Sequence, residues 1–269
     1  MTRNGPLALA YHALFVGFVL APILIVCVVA FTPEGYLSVP TTHLSLRWFR
    51  AIANYPEFVT AFWNSVWLAA LSSAIAVAFS VPAAVAIARH RFPGRETMTA
   101  LFMSPLMIPH VVLGIAFLRF FTQIGLGGTF VGLVLSHIVI VLPFALRLVL
   151  ASAVGLDRAL EHAAISLGAS DAVVFRRVTL PLILPGLASG WALAFIQSFD
   201  EVTMTVFIAA PSTVTLPVRM FLYIQDNIDP LVTSVSACVI VVTVLFMLLL
   251  DRLYGLERLL VGRGSAREE

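Results

Sequence analysis

The amino-acid sequence predicts an all-α fold: a polytopic membrane protein with six transmembrane helices, N- and C-termini in the cytoplasm, and an amphipathic helix between the fourth and fifth spans. Three observations predict it. Of 269 residues, 60% are hydrophobic and 11% charged, whereas a soluble domain carries about 45–50% apolar and about 25% charged residues. The apolar residues gather into runs near the ~20 residues that cross a bilayer. The 16 basic residues, every one an arginine, lie mostly between those runs and unequally on the two sides.

The first run, 12–31, follows a single basic residue and resembles a signal peptide. Its length, and the lack of a small-x-small exit before Phe31-Thr32-Pro33, predict an uncleaved first helix instead. Segment 32–63 has Pro, Ser, Thr and Trp but no long period, so an external loop with at most short interfacial helices is expected. Further spans are expected at 64–88, 97–121, 129–150, 182–209 and 231–250. With both ends inside, twelve arginines are internal and four, Arg47, Arg50, Arg119 and Arg219, are external, as the positive-inside rule favours. Residues 1–63 thus read as first helix and external loop, 64–250 as a core of five helices including the connection 151–181, and 251–269 as a cytoplasmic tail. Pro82, Pro105, Pro109 and Pro143 remove backbone donors and bend their spans, the paired spacing SPLMIP, Ser104 to Pro109, being the most suggestive.

The connection 151–181 is not a plain loop. Leu160, Ala163, Ala164 and Leu167 recur at i, i+3, i+4 and i+7, one face of a helix that Asp157 can cap and Gly168 can end. A second short helix, Asp171 to Val178, can start after Ser170 and stop where Leu180-Pro181 opens the fifth span. Such an element either docks in a partner or lies on lipid.

Asp200 and Glu201 fall inside the run 182–209, about one turn beyond its midpoint. An ionised carboxylate there costs about 2.5–3.5 kcal/mol and normally faces a bundle interior or a wet cavity. An external organic cation can offset that cost. So can an internal pair with Arg147 or Arg119, or a protonated acid between helices. Adjacent helical residues diverge, which sets Gln197 with Asp200, and Ser198 and Thr205 with Glu201. Asp200 is the favoured pathway-facing member. Trp191, Phe195 and Phe199 can stack on an amine or simply pack. GLASG, with Gly186 and Gly190, reads as a close helix contact, and the lone His110 and His137 as hydrogen-bonded packing residues.

A net charge of +2 without a basic stripe sets nucleic acid aside. Cys27 and Cys238 sit in apolar runs with no metal-ligand spacing, so neither metal nor redox chemistry is expected. No lysine means no nucleotide-binding P-loop in this chain; if ATP drives it, another chain hydrolyses the ATP. No catalytic residues are assigned, since HExxH and GxSxG are absent, although Ser136-His137 keeps an intramembrane enzyme as a distant alternative, beside an ion-coupled secondary transporter.

The run LEHAAISLGASDAVVFRRVTLP resembles the cytoplasmic signature of bacterial ATP-binding-cassette importer permeases, the MetI-like inner-membrane components. In that signature E-A-A, three residues, G, nine residues, an aliphatic, one residue and L-P recur; Ala163-Ala164, Gly168, Val178 and Leu180-Pro181 are in register. His162 stands where the glutamate is expected, with Glu161 one place earlier. SPLMIPHVVLGIAF resembles the family's third-helix segment, and SFDEVTMTVFIAAPSTVTLPVRMF the polyamine (spermidine and putrescine) branch. The resemblance implies that Glu161, His162, Ala163, Ala164, Gly168, Leu180 and Pro181 form a coupling element seated in a separate ABC ATPase dimer. That dimer holds ATP and Mg, so no cofactor belongs to this chain. It also implies a periplasmic or lipoprotein substrate-binding protein, a second and different permease chain, a bacterial inner membrane with its lipid, and a cationic path near Asp200, Glu201, Gln197, Phe199 and Trp191. An importer for an oxyanion or organophosphonate, with Arg147 in the path, is the nearest alternative.

Overall fold

The computed structural model describes residues 5–39 and 43–254, and every regular element among them is helical. In order they are α1 (Pro6–Val29), α2 (Arg47–Ala51), α3 (Pro56–Arg89), α4 (Arg95–Met103), α5 (His110–Gln123), α6 (Phe130–Val154), α7 (Arg158–Ser166), α8 (Asp171–Val174), α9 (Leu180–Phe199), α10 (Thr205–Ile208), α11 (Leu216–Asp226) and α12 (Leu231–Tyr254). Four helical stretches are long and apolar enough to cross a membrane: α1, α3, α6 and the continuous Asp171–Phe199. The bent pair Arg95–Met107 and His110–Gln123 makes a fifth if counted as one span, and Leu231–Phe246 is a shorter apolar helix. The expected tail lies outside the described residues from residue 255 onward, and α12 runs past the expected end at 250.

Three expectations are corrected. The third span is not one helix over 97–121, because the chain bends by 100° between α4 and α5. Pro109 forces its predecessor out of the helical region, and Ile108 is accordingly extended, with φ −95° and ψ 127°. The fifth span does not run to 209, because α9 ends at Phe199 with Asp200 as its C-cap. Nor does a helix stop before Leu180-Pro181. Asp171–Phe199 is continuous, and a π-helical turn at Phe175–Thr179 carries it towards Pro181, whose missing N–H is tolerated where the hydrogen-bond ladder is already shifted. Connections also differ: α3 starts at Pro56, within the expected external loop, and α11 lies between the spans expected at 182–209 and 231–250.

The described residues form two compact units, residues 60–219 with 250–254, and residues 5–59 with 220–249. The larger unit has a core of Leu68, Ala76, Phe121, Leu133, Ile140, Val141, Ala145, Ala194, Met204 and Ile208. Within it α6 and α9 pack through small residues. A Cβ at Gly190 would stand 3.1 Å from the Ala145 carbonyl oxygen, and one at Gly186 would overlap Ser152 Cβ, so GLASG serves close approach. In the other unit Ser234 Oγ donates to the Ala30 carbonyl (3.1 Å) and Trp48 Nε1 donates to that of Glu34 (2.9 Å).

Candidate functional site

Two clusters of polar residues stand out in the larger unit. The first is the connection between α6 and α9. Asp157 caps α7 by accepting from the Ala159 N–H at 2.9 Å. The other end closes in a Schellman motif: Ala169 N–H donates to Ala164 (3.1 Å) and Gly168 N–H to Ile165 (2.9 Å), with Gly168 at φ +85°. Leu160, Ala163 and Leu167 are exposed, Leu167 at 89%. The face that the periodicity singles out is therefore open. His162 is exposed too, whereas Glu161 turns back into its own chain. Its Oε2 lies 3.0 Å from Arg89 Nε at the end of α3, and its Oε1 accepts from Thr179 Oγ1 at 2.7 Å. Leu180 and Pro181 follow that threonine as the first residues of α9, Pro181 exposed.

The second cluster lies where α9 ends. Asp200 N–H donates to Ile196 at 3.0 Å and closes the helix, leaving the Asp200 side chain exposed. Glu201 is only 7% exposed; it accepts from the Met204 N–H and pairs with His110 Nδ1 at 2.7 Å. The internal partner of the acidic pair is thus a histidine, and Arg119 and Arg147 are both exposed. Geometry explains the reach. His110 begins α5 directly after the 100° bend. One turn on, Gly114 lets the following chain come close, since a Cβ there would stand 2.8 Å from Phe207 Cδ2 and 3.0 Å from the Met204 carbonyl oxygen.

Beside this pair runs a buried hydrogen-bond chain through four elements. His137 Nδ1 is 2.8 Å from Ser198 Oγ and its Nε2 is 3.0 Å from Thr205 Oγ1; Ser198 Oγ is 3.0 Å from Ser72 Oγ, and Ser72 Oγ donates to Leu68 at 2.6 Å. Each hydroxyl has one proton, and that orders the chain. Ser72 gives its proton to Leu68, so Ser198 donates to Ser72, His137 Nδ1–H donates to Ser198, and Thr205 donates to Nε2. Every group is satisfied with a neutral imidazole, so His137 joins α3, α6, α9 and α10. Ser198 and Thr205 are held there, and do not stand on one continuous helical stripe with Glu201.

Trp191, Phe195 and Phe199 form a half-buried ladder along α9, with ring centroids 5.3 and 6.1 Å apart, and Phe199 meets Phe62 at 6.3 Å and 75°. Gln197 is half-buried one turn before Asp200. The structure thus leaves Asp200 exposed at the end of α9, next in sequence to Phe199, while Glu201 is taken up by His110. Sequence reasoning missed Ser72, Arg89 and the His110–Glu201 contact; the signal for the last was a histidine directly after the proline that breaks the span.

Comparison with known proteins follows the same lines. Residues 77–256 match the family described as binding-protein-dependent transport system inner membrane component. The spermidine/putrescine transport system permease protein PotC of Haemophilus influenzae is 28% identical over 247 residues, covering 92% of this chain and 94% of that protein. A probable molybdenum ABC transporter permease protein of Haloferax volcanii is 38% identical over 180 residues, 64% of this chain and 66% of that one. The fold is similar to a chain in the crystal structure of a bacterial ABC transporter involved in the import of the acidic polysaccharide alginate, with TM-score 0.75 and 16% identity over 93% of this chain and 96% of that one. The chain belongs to the family of binding-protein-dependent transport system inner membrane components, the permease subunits of ATP-binding-cassette importers.

Proposed function

We propose that this permease imports polyamines such as putrescine or spermidine, spanning the inner membrane six times with both termini in the cytoplasm. In this reading α7 is the coupling helix. Its open Leu160, Ala163 and Leu167 face seats in an ABC ATPase dimer that binds ATP and Mg, a second, non-identical permease chain completes the path, and a substrate-binding protein delivers the cation from outside. ATP binding closes the ATPase, moves α7 and turns the path outward; hydrolysis resets it.

The observation that carries the substrate reading is the unequal fate of the two acids. Glu201 is engaged by His110 and the Met204 N–H, while Asp200 remains exposed at the end of the Trp191, Phe195 and Phe199 strip. An exposed carboxylate at the end of a span attracts an ammonium by charge, and the nearby rings on α9 can add cation–π attraction as the cation passes along the helix. Gln197 stands one turn earlier on the Asp200 side of α9, and Phe199 directly precedes Asp200. A charged hydrogen bond contributes about 1.5–3 kcal/mol, so Asp200→Asn should lower putrescine uptake by the reconstituted transporter about tenfold or more at limiting substrate. Unchanged uptake would remove Asp200 from the path. Absence of putrescine uptake by the unaltered transporter would end the polyamine reading.

A second reading is favoured by the Haloferax relative, whose name specifies molybdenum. An oxyanion would seek basic path residues, and Arg147 on α6 is exposed. ATP-dependent molybdate uptake without putrescine uptake would select it.

A further inference from the structure

The short helix α7 has two functional sides, and its acidic residue is on the inner one. On an α-helix Ala163 stands about 160° round from Glu161, and Leu160 about 100° round on that same side. The exposed face therefore points away from the glutamate, by about 100–160° round the helix. Glu161 carries one carboxylate to three elements: α7 itself, Arg89 at the last residue of α3, and Thr179 in the π turn that leads into α9. The Arg89 and Glu161 side chains are 11% and 16% exposed, so the pair is shielded from solvent. Neighbouring contacts fix the same joint: Arg89 Nη1 donates to the Leu156 carbonyl at 3.4 Å, and Arg158 Nη2 to that of Ala88 at 2.8 Å. Arg89 Nε meets the carboxylate without a straight N–H···O line, so this contact is an ion pair by charge more than by hydrogen-bond direction.

We propose that Glu161 is a positioning residue: with Arg89 and Thr179 it forms an internal strut that passes displacement of α7 to α3 and α9, and it does not bind the ATPase. The inference rests on the coupling role proposed above for α7. A shielded ion pair resists separation because each charge, once parted, stays in a poorly solvated place. The three elements it joins consequently move together. A docking glutamate would do the opposite: it would hold the partner while leaving the spans unlinked.

The test uses the complete transporter in proteoliposomes, with labelled putrescine uptake and ATP hydrolysis measured on the same preparation and ATPase co-purification scored separately. Arg89→Gln and Glu161→Gln are each expected to lower uptake per ATP hydrolysed by about tenfold with the ATPase still bound, within the roughly 5–150-fold range of couplings between sites. The exchange Arg89→Glu with Glu161→Arg restores most of the ratio. Three results would overturn the inference: loss of ATPase binding in Glu161→Gln but not in Arg89→Gln, single variants with an undiminished ratio, or an exchange no better than either single change. Should a single variant fail to reach the membrane, Arg89→Lys, which keeps the charge, carries the test: a ratio close to the unaltered one supports the strut, and a tenfold loss contradicts it. An unaltered transporter that takes up no putrescine, or binds no ATPase through α7, would fail the proposed function instead, before any strut variant is compared.

Discussion

The contact between α6 and α9 is tight enough to be tested by a single methyl group. A Cβ at Gly186 would overlap Ser152 Cβ, and would also lie 2.9 Å from Ser152 Oγ and 3.1 Å from the Leu148 carbonyl oxygen. The backbone oxygen cannot yield without unwinding α6, and the serine side chain is too short to swing clear. Gly186→Ala must therefore part the helices or strain a rotamer, and overpacking of this kind costs about 1–3 kcal/mol. Gly190 is the milder site, because its Cβ would stand 3.1 Å from the Ala145 oxygen and 3.4 Å from Val149 Cγ2. In detergent-solubilised protein, thermal unfolding should shift downward by several degrees for Gly186→Ala, taking about 2–4 °C per kcal/mol at this chain length, and less for Gly190→Ala. Ser152→Gly in the Gly186→Ala background should recover most of the loss, since it removes the side chain in the way. An unshifted melting temperature for Gly186→Ala, or no recovery with Ser152→Gly, would refute the packing argument.

His137→Phe deletes two buried hydrogen bonds. Interhelical bonds in membranes average about 0.6 kcal/mol and reach about 1.7, so a loss of roughly 1–3 kcal/mol is expected by the same unfolding assay; a neutral or stabilised variant would contradict the view that His137 holds Ser198 and Thr205 together. Asp157→Ala removes the cap of α7 and should cost about 1 kcal/mol locally, seen as faster proteolysis within 155–170 with no change in the melting of the spans; equal cleavage rates would show that the cap is not holding the helix.

Much of this architecture is legible in the amino-acid order because hydropathy and capping are local. Apolar runs place α1, α3, α6, α9 and α12, and Asp157 and Gly168 bracket α7 as their chemistry requires. The errors arise where backbone geometry or a distant partner decides. An apolar count does not register that Pro109 turns the chain by 100°, because prolines inside Pro82's and Pro143's helices leave them continuous. The end of α9 is equally hidden: Val202, Thr203 and Met204 continue the apolar character, but the Glu201 carboxylate takes the Met204 N–H and fixes a turn. That break also changed the acidic pair. Helical spacing was applied to two acids that do not share a helix, since α9 ends at Phe199, and Glu201 found His110, 91 positions away in sequence. The inward turn of Glu161 likewise depends on Arg89, which a reading of 151–181 alone never meets.

Photo-cross-linking from single positions on α7 in the assembled transporter tests most directly the claim that this helix joins a separate ATPase to the permease. Probes at Ala163 and Leu167, on the open face, should capture the ATPase, and a probe at Glu161 should capture only this chain. ATPase adducts from Glu161 with none from Ala163 or Leu167 would contradict the account.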